Sequence, residues 1–222
     1  VPAAPVADVY EVELMASLHG PKAKIQRRFG ELLVPRPKYA RIMDKRGYPP
    51  GEHGKEKSFR GGRRSNYGTQ LDEKQKLAFL YNIRERQLRN YYKKALRIPG
   101  PTGGNLLVLL ERRLDNIVYK SGLAATIWAA RQLVVHGHIF VNGERLDLPS
   151  YLLKAGDVIT LSEKMKRNVH ITEWVDQISA YPPYLSVEKN NRKITLLRVP
   201  EPGEVQVPVN IQLVVEFYNR IT

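Results

Sequence analysis

Apolar residues recur along the middle of the chain first at helical and then at strand-like intervals. From Asp72 to about Ile98, Leu77, Leu80, Ile83, Leu88, Tyr91, Tyr92 and Ala95 return at close to 3.6-residue spacing and make one stripe. Lys76, Arg84, Arg86, Arg89, Lys93 and Lys94 mostly fall elsewhere on that wheel. The pattern predicts one helix, with Asp72 capping its first N–H groups and Glu73 suited to its positive end. PGPTGG at 99–104 ends it and reads as a hinge or loop. A second helix is predicted over about 105–120, burying Leu107, Leu110, Leu114, Ile117 and Val118. Arg113, Asn116 and Lys120 share another face of it, with Arg112 beside them, and Gly122 closes it.

A third, shorter helix is predicted from a Thr126 cap through about Val135, with Gly137 as its terminator. Asn142-Gly143 between the apolar runs 139–141 and 145–146 is a strong hairpin signal, because both turn residues tolerate positive φ. Ala155-Gly156-Asp157 turns the chain into the strand 158–161. Beyond 169 the pattern reads as loops and strands. Tyr181-Pro182-Pro183-Tyr184 resists helix, 194–199 is β-like, and 211–218 is β-like with Leu213, Val215 and Phe217 alternating.

The two ends of this pattern differ from its middle. Residues 1–14 read as a low-complexity extension without fixed structure, and VPAAPVADVYEVELM lacks the basic stretch of a secretory signal. Residues 17–70 are rich in Gly, Pro, Lys and Arg and show little periodicity. YPPGEHGKEKSFRGGRRSNYG at 48–68 is a poor independent folder that phosphates would order by supplying countercharge.

Charge sharpens the reading. The net charge is +14, and residues 17–104 hold 22 Lys and Arg against 7 Asp and Glu, whereas 105–222 hold 14 against 12. Solubility does not require such concentration; a polyanion-binding surface does, and nucleic acid fits better than membrane, since no basic amphipathic helix with a bulky aromatic face is present. No apolar run is long enough to span a bilayer. Without cysteine, disulfides, thiol nucleophiles and zinc–thiolate clusters are excluded.

The candidates for chemistry are weak. His136 and His138 lie two apart with no third ligand nearby in sequence, whereas zinc needs three or four; capping the helix end or contacting RNA are the other readings. Arg113-Leu114-Asp115 resembles the run that carries the aspartate nucleophile of pseudouridine synthases, but an ion pair within the helix accounts for it equally. Ser150 has no G-x-S-x-G context, and GPTGG lacks the lysine of a phosphate-cradling loop. Binding is better supported. Tyr67, Tyr81, Tyr91, Tyr92 and Tyr119 interleave with basic residues and could stack on bases. Arg112, Arg113 and Arg131, on two adjacent short helices, could converge on one backbone groove.

LERRLDNIVYKSGLAATIWAARQLV, HGHIFVNG, PSY and KAGDVITL together resemble the small αL-type RNA-binding module. GPKAKIQRRFG, YPPGEHG, SNYGTQLDEKQKLAFLYNIRERQLRNYY, TGGNLLVLLERRLDN and VPVNIQLVVEFYNR, in that order over about residues 15–222, resemble the family of bacterial-type small-subunit ribosomal protein number four. The resemblance implies an α+β fold: a basic helical domain over 15–108 and an inserted two-helix module with a small twisted sheet over 109–170. A β-like segment over 171–222 would return to the first domain. It implies a structural, non-enzymatic constituent of the small ribosomal subunit that binds its RNA directly, nucleates assembly and supports decoding accuracy. Ribosomal protein five is the implied neighbour, with the messenger entry path nearby. No cofactor, metal, membrane or small-molecule substrate is implied, and the location is the ribosome of a bacterial cytoplasm or of an organelle. An RNA-modifying enzyme fragment and a free RNA-binding regulator carrying the module are the alternatives.

The implied RNA contacts run along the chain. Lys22, Lys24, Arg27, Arg28, Lys55, Lys57, Arg60, Arg63, Arg64 and Tyr67 come from the basic region. Lys74, Lys76, Arg84, Arg86, Arg89, Tyr92 and Lys93 come from the long helix. Arg112, Arg113, Asn116, Lys120, Arg131, Gln132, His136 and His138 come from the module. Three departures stand out. Ala23 and Gln26 occupy positions where many relatives carry cysteines, some binding zinc. Ile127-Trp128 replaces a pair that commonly contains arginine, and Met15-Ala16 resembles the family's usual start.

Overall fold

The structure is a computed structural model and describes residues 20–56, 65–177 and 180–221. The expectation for residues 1–14 therefore lies outside the described residues. The chain forms two compact units, one from residues up to Tyr92 together with those from Val207 onward, the other from Lys93–Gln206.

The first unit contains α1 (Lys22–Phe29), α2 (Pro37–Lys45), α3 (Asn66–Leu80) and the start of α4 (Glu85–Leu96), and, from the far end of the sequence, α10 (Ile211–Ile221). Two of its elements correct the sequence pattern. The single helix expected from Asp72 is two helices. α3 starts earlier, with Ser65 Oγ accepting from Gly68 N at 3.1 Å. It ends before Asn82, which takes a left-handed φ of 50° that asparagine tolerates and a helix interior does not. Asp72 is instead an ion-pair partner of Arg28 at 3.0 Å.

The segment over 211–218 is helical rather than β-like. Alternation of Leu213, Val215 and Phe217 is present in the sequence, but Val214, Phe217 and Tyr218, at i, i+3 and i+4, are the residues that are buried. Asn210 starts the helix, its Oδ1 accepting from Gln212 N at 3.1 Å and Leu213 N at 3.4 Å. α10 packs on α3. The Tyr92 and Tyr218 rings stack at 4.8 Å, and their hydroxyls donate to Asn219 at 2.6 Å and Glu85 at 3.0 Å.

The second unit contains α5 (Thr102–Glu111), α6 (Leu114–Lys120), α7 (Ile127–Val135), α8 (Glu163–Lys166) and α9 (Val169–Gln177). Its sheet holds β1 (Ile139–Val141), β2 (Glu144–Arg145), β3 (Val158–Leu161), β4 (Leu185–Glu188) and β5 (Lys193–Leu196). The order is β2-β1-β3-β5-β4, every pair antiparallel. One face, with Ile139, Val141, Ile159, Leu161, Ile194 and Leu196, joins Leu114, Ile117, Val118, Ala130 and Val134 from the helices in the core. Truncating one of these isoleucines to alanine costs about 2–5 kcal/mol.

Here too the helix boundaries differ from the pattern. The TGG of PGPTGG is no hinge: it forms the first turn of α5, which begins after Pro101. Gly104 is required there because a Cβ would stand 2.8 Å from Pro202 of a 3₁₀ turn (Pro202–Glu204) packed against it. The helix expected over 105–120 breaks at Arg112 and Arg113. There the backbone pairs with a loop far along the chain: Leu153 N to Arg112 O at 2.9 Å, Leu114 N to Tyr151 O at 2.9 Å and Asp115 N to Pro149 O at 3.3 Å. α7 begins as expected, Thr126 Oγ1 accepting from Ala129 N at 3.2 Å. The hairpin turns at Asn142 (φ 53°) and Gly143 (φ 88°), and β3 occupies the expected residues.

Candidate RNA-binding surface

A lysine or arginine buried inside the protein does not reach a phosphate, so burial sorts the candidates. Lys24, Lys55, Arg84, Arg86, Arg89, Lys93, Gln132 and His136 are exposed. Lys22, Arg27, Arg28, Tyr67, Arg112, Lys120, Arg131 and His138 are half-buried. Lys57, Arg60, Arg63 and Arg64 lie outside the described residues. Lys74, Lys76, Tyr92, Arg113 and Asn116 are buried, which corrects the picture of an RNA-facing row for these five.

The buried five are fastened inside the protein. Lys74 Nζ lies 3.0 Å from Glu85 and 4.5 Å from the centre of the Phe217 ring. Lys76 Nζ bridges Glu31 and Glu73, each at 3.0 Å. Arg113 grips Asp115 with Nε at 3.0 Å and Nη2 at 2.6 Å, both side chains wholly buried, and Arg131 reaches the same carboxylate at 3.5 Å. Burial pushes the Asp115 carboxyl up, and the two guanidinium charges pull against it. Arg113 and Arg131 therefore converge on an aspartate, not on a groove. Asn116 Nδ2 donates to Glu111 at 2.7 Å, and Tyr184 OH donates to the same carboxylate oxygen at 3.0 Å. Burial and the Glu111 charge hold the Tyr184 phenol far above its usual range. Arg113-Leu114-Asp115 is thus interior framework.

The tyrosines follow the same division. Tyr81, Tyr91 and Tyr92 are buried, Tyr119 packs against the core of the second unit, and the Tyr67 ring lies 5.7 Å from Phe217. Gln26, at a position where many relatives carry a cysteine, is wholly buried, and its Oε1 accepts from Val34 N at 3.0 Å. Ile127 is buried and Trp128 half-buried.

The exposed cations form coherent faces. On α4, Leu88, Tyr91, Tyr92 and Ala95 point inward, while Arg86, Arg89 and Lys93, three and four apart, are exposed. α2 carries a second row that the sequence reading did not single out: Lys38, Arg41 and Lys45 are exposed at i, i+3 and i+7. That spacing was legible on a helical wheel. Near its end two cations approach the Tyr48 ring, the Arg27 guanidinium at 5.0 Å and Lys55 Nζ at 5.5 Å from its centre. Arg27 is also positioned by the carbonyls of Arg46 at 2.9 Å and Tyr48 at 3.1 Å.

In the second unit Arg112 is held by the Leu153 carbonyl at 2.9 Å. His136 and His138 flank the end of α7, ring centres 6.2 Å apart. There Gly137 (φ 68°) closes the helix with Gly137 N to Val134 O at 2.8 Å and His138 N to Leu133 O at 3.0 Å. Any larger residue at 137 would overlap the Arg145 guanidinium. Partial burial, with the charges of His136, Lys164 and Arg145, holds the His138 imidazole below its ordinary range. No group of three or more metal-ligating side chains is present among the described residues. Nor is any of the described helices long and apolar enough to cross a membrane.

Helices with cationic outer rows, together with a compact module of helices on a small antiparallel sheet, define a protein of the polyanion-binding class. A family described as "Ribosomal protein S4/S9 N-terminal domain" matches residues 17–111, and one described as "S4 domain" matches 112–159. The seam at 111/112 falls at the break between α5 and α6, not at the division between the compact units. The chain is 44% identical over 208 residues to "Small ribosomal subunit protein uS4" of Pelodictyon phaeoclathratiforme, and 44% identical over 208 to that of Chlorobaculum tepidum. It is 43% identical over 206 to that of Rubrobacter xylanophilus; each alignment spans 93% of this chain and all of the relative. The chain belongs to the uS4 family of small ribosomal subunit proteins.

Proposed function

We propose that the chain is a structural, non-enzymatic component of the small ribosomal subunit that binds its RNA directly and helps to nucleate assembly. The observation that carries this reading is the outer row of α4, where Arg86, Arg89 and Lys93 are all exposed opposite an apolar inner face. Rows of this kind suit a backbone of regularly spaced phosphates. Lys38, Arg41 and Lys45 of α2, the Arg27–Tyr48–Lys55 cluster, and Arg112, Lys120, Arg131, Gln132, His136 and His138 of the module complete the proposed contact set. A neighbouring ribosomal protein five, a position near the messenger entry path with an influence on decoding accuracy, and a ribosome-bound location in a bacterial cytoplasm or an organelle extend the same reading.

Binding of the full chain to a small-subunit ribosomal RNA fragment, followed across salt concentrations, tests it. Affinity should fall by about 0.7–0.9 logarithmic units per logarithmic unit of salt for each phosphate neutralised. An affinity unchanged between low and physiological salt, or absence of the protein from sedimented small subunits, would refute it.

A further inference from the structure

We propose that the second unit holds a discrete site for a phosphate-type anion between β3, β5 and α8. It is built from residues that the reading above leaves unused. A concavity of about 420 Å³ is lined by Thr160, Lys166, Asn190, Asn191, Arg192 and Lys193: three cations, three neutral hydrogen-bonding side chains and no carboxylate.

The topology explains the convergence. Strands β3 and β5 pair with Val158 opposite Thr195 and Ile159 opposite Ile194, and the same register brings Thr160 opposite Lys193. Both lie on the face away from the core, where Ile159 and Ile194 point. The β4–β5 turn then delivers Asn190, Asn191 and Arg192 to the end of this face. Lys166 comes from the last turn of α8.

Arg192 is the distinctive member. Its φ of 48° is left-handed; the other non-glycine residues with positive φ among those described are both asparagines, which tolerate that region. A strained arginine persists only where its surroundings fix it. One arm is fixed: Nη2 donates to Thr172 Oγ1 of α9. The other, Nη1, is buried and has no hydrogen-bond partner among the described residues. A buried guanidinium nitrogen without an acceptor is costly, and a turn of the Arg192 side chain toward an anion in the concavity would supply one. Both lysines are paired with carboxylates, Lys166 with Glu163 at 2.6 Å and Lys193 with Glu188 at 3.7 Å, and Asn191 Nδ2 donates to Glu188 at 3.2 Å. Neither carboxylate lines the concavity. A tetrahedral oxyanion suits this set, a guanidinium and two ammoniums with the Asn190 and Thr160 side chains around one small centre, and it would compete with Glu163 and Glu188 for the lysines. The anion is a phosphate group, either a backbone phosphate of bound RNA or free inorganic phosphate.

The test uses the full chain, ¹⁵N-labelled, titrated with inorganic phosphate and then with a short RNA duplex. Phosphate should shift the amides of Thr160, Asn191, Arg192 and Lys193 saturably. Arg192→Gln should weaken that binding about tenfold or more, the effect of losing one charge-assisted contact. Thr172→Val, which leaves the charge but frees the anchored arm, should weaken it less. If the RNA displaces phosphate from these residues, the source is the RNA backbone; if both bind independently, the ligand is free phosphate. Should Arg192→Gln lose a dispersed spectrum, Lys166→Gln is read in its place. Absence of saturable shifts with both probes, or unchanged shifts in the variant, overturns the proposal. RNA binding through the α4 row is measured separately with the α4 variants, so either reading can fail alone.

Discussion

Asn142 of the β1–β2 turn and Asp157, just before β3, hold each other, Asn142 Nδ2 donating to Asp157 Oδ1 at 2.9 Å. The same two side chains tie down the backbone on both sides. Asn142 Oδ1 accepts from Val158 N at 2.9 Å, and Asp157 Oδ2 accepts from Lys154 N at 2.7 Å. Asn142→Gly keeps the positive φ and removes the amide, so it isolates these bonds. Its expected cost is about 1–3 kcal/mol of stability, read by urea denaturation. A change within about 0.5 kcal/mol would mean that the backbone alone sets the turn.

Arg113→Ala should destabilise the second unit by about 3–5 kcal/mol, because it leaves the Asp115 carboxylate buried beside only Arg131. The double replacement Arg113→Met with Asp115→Leu should recover much of that loss. RNA affinity corrected for the unfolded fraction should stay near that of the parent. A loss of RNA binding with intact stability would return Arg113 to the contact surface.

The outer row of α4 behaves oppositely. Replacing Arg86, Arg89 and Lys93 together by glutamine should leave stability within about 1 kcal/mol, since all three are exposed. It should reduce the magnitude of the log–log salt slope of RNA binding by about 2–3 if all three meet phosphate. Parallel measurements of melting and binding separate the two effects.

His138 gives a pH signature. Its folded imidazole titrates below the ordinary value, so between the folded and unfolded values the unfolded chain binds more protons. Its contribution to stability is thus complete above about pH 6.5 and is lost as pH falls through that window. Proton NMR should place His138 below the usual histidine range, and His136→Gln should raise it by removing a neighbouring charge. A titration unmoved by that substitution would remove His136 as a cause.

The features legible in the sequence were those specified locally. Thr126 as a cap, Asn142-Gly143 as a turn and the run 158–161 as a strand depend on residues adjacent in the chain, and all three stand in the structure. What was not legible depends on distant partners. Arg112 and Arg113 carry a helical pattern, yet their backbone is claimed by Tyr151, Leu152 and Leu153 some forty residues on. The 211–218 segment fits both periods, and packing on α3 selects the helix. The surface divides likewise. Arg86, Arg89 and Lys93 were legible as an outer row from their spacing alone. Lys74, Lys76 and Arg113 look equally basic in one dimension, and only the carboxylates of Glu85, Glu31, Glu73 and Asp115 draw them inside.

Because α10 follows residues 93–206 in the chain and packs on α3, the first unit cannot be completed before the second has been synthesised. Everything needed for the interior of residues 93–206 leaves the peptide exit before Val214, Phe217 and Tyr218 do. During translation the later unit can therefore mature while the earlier one still exposes Leu77, Tyr92 and their neighbours. A nascent chain halted just short of residue 211 still lacks the helix that covers α3.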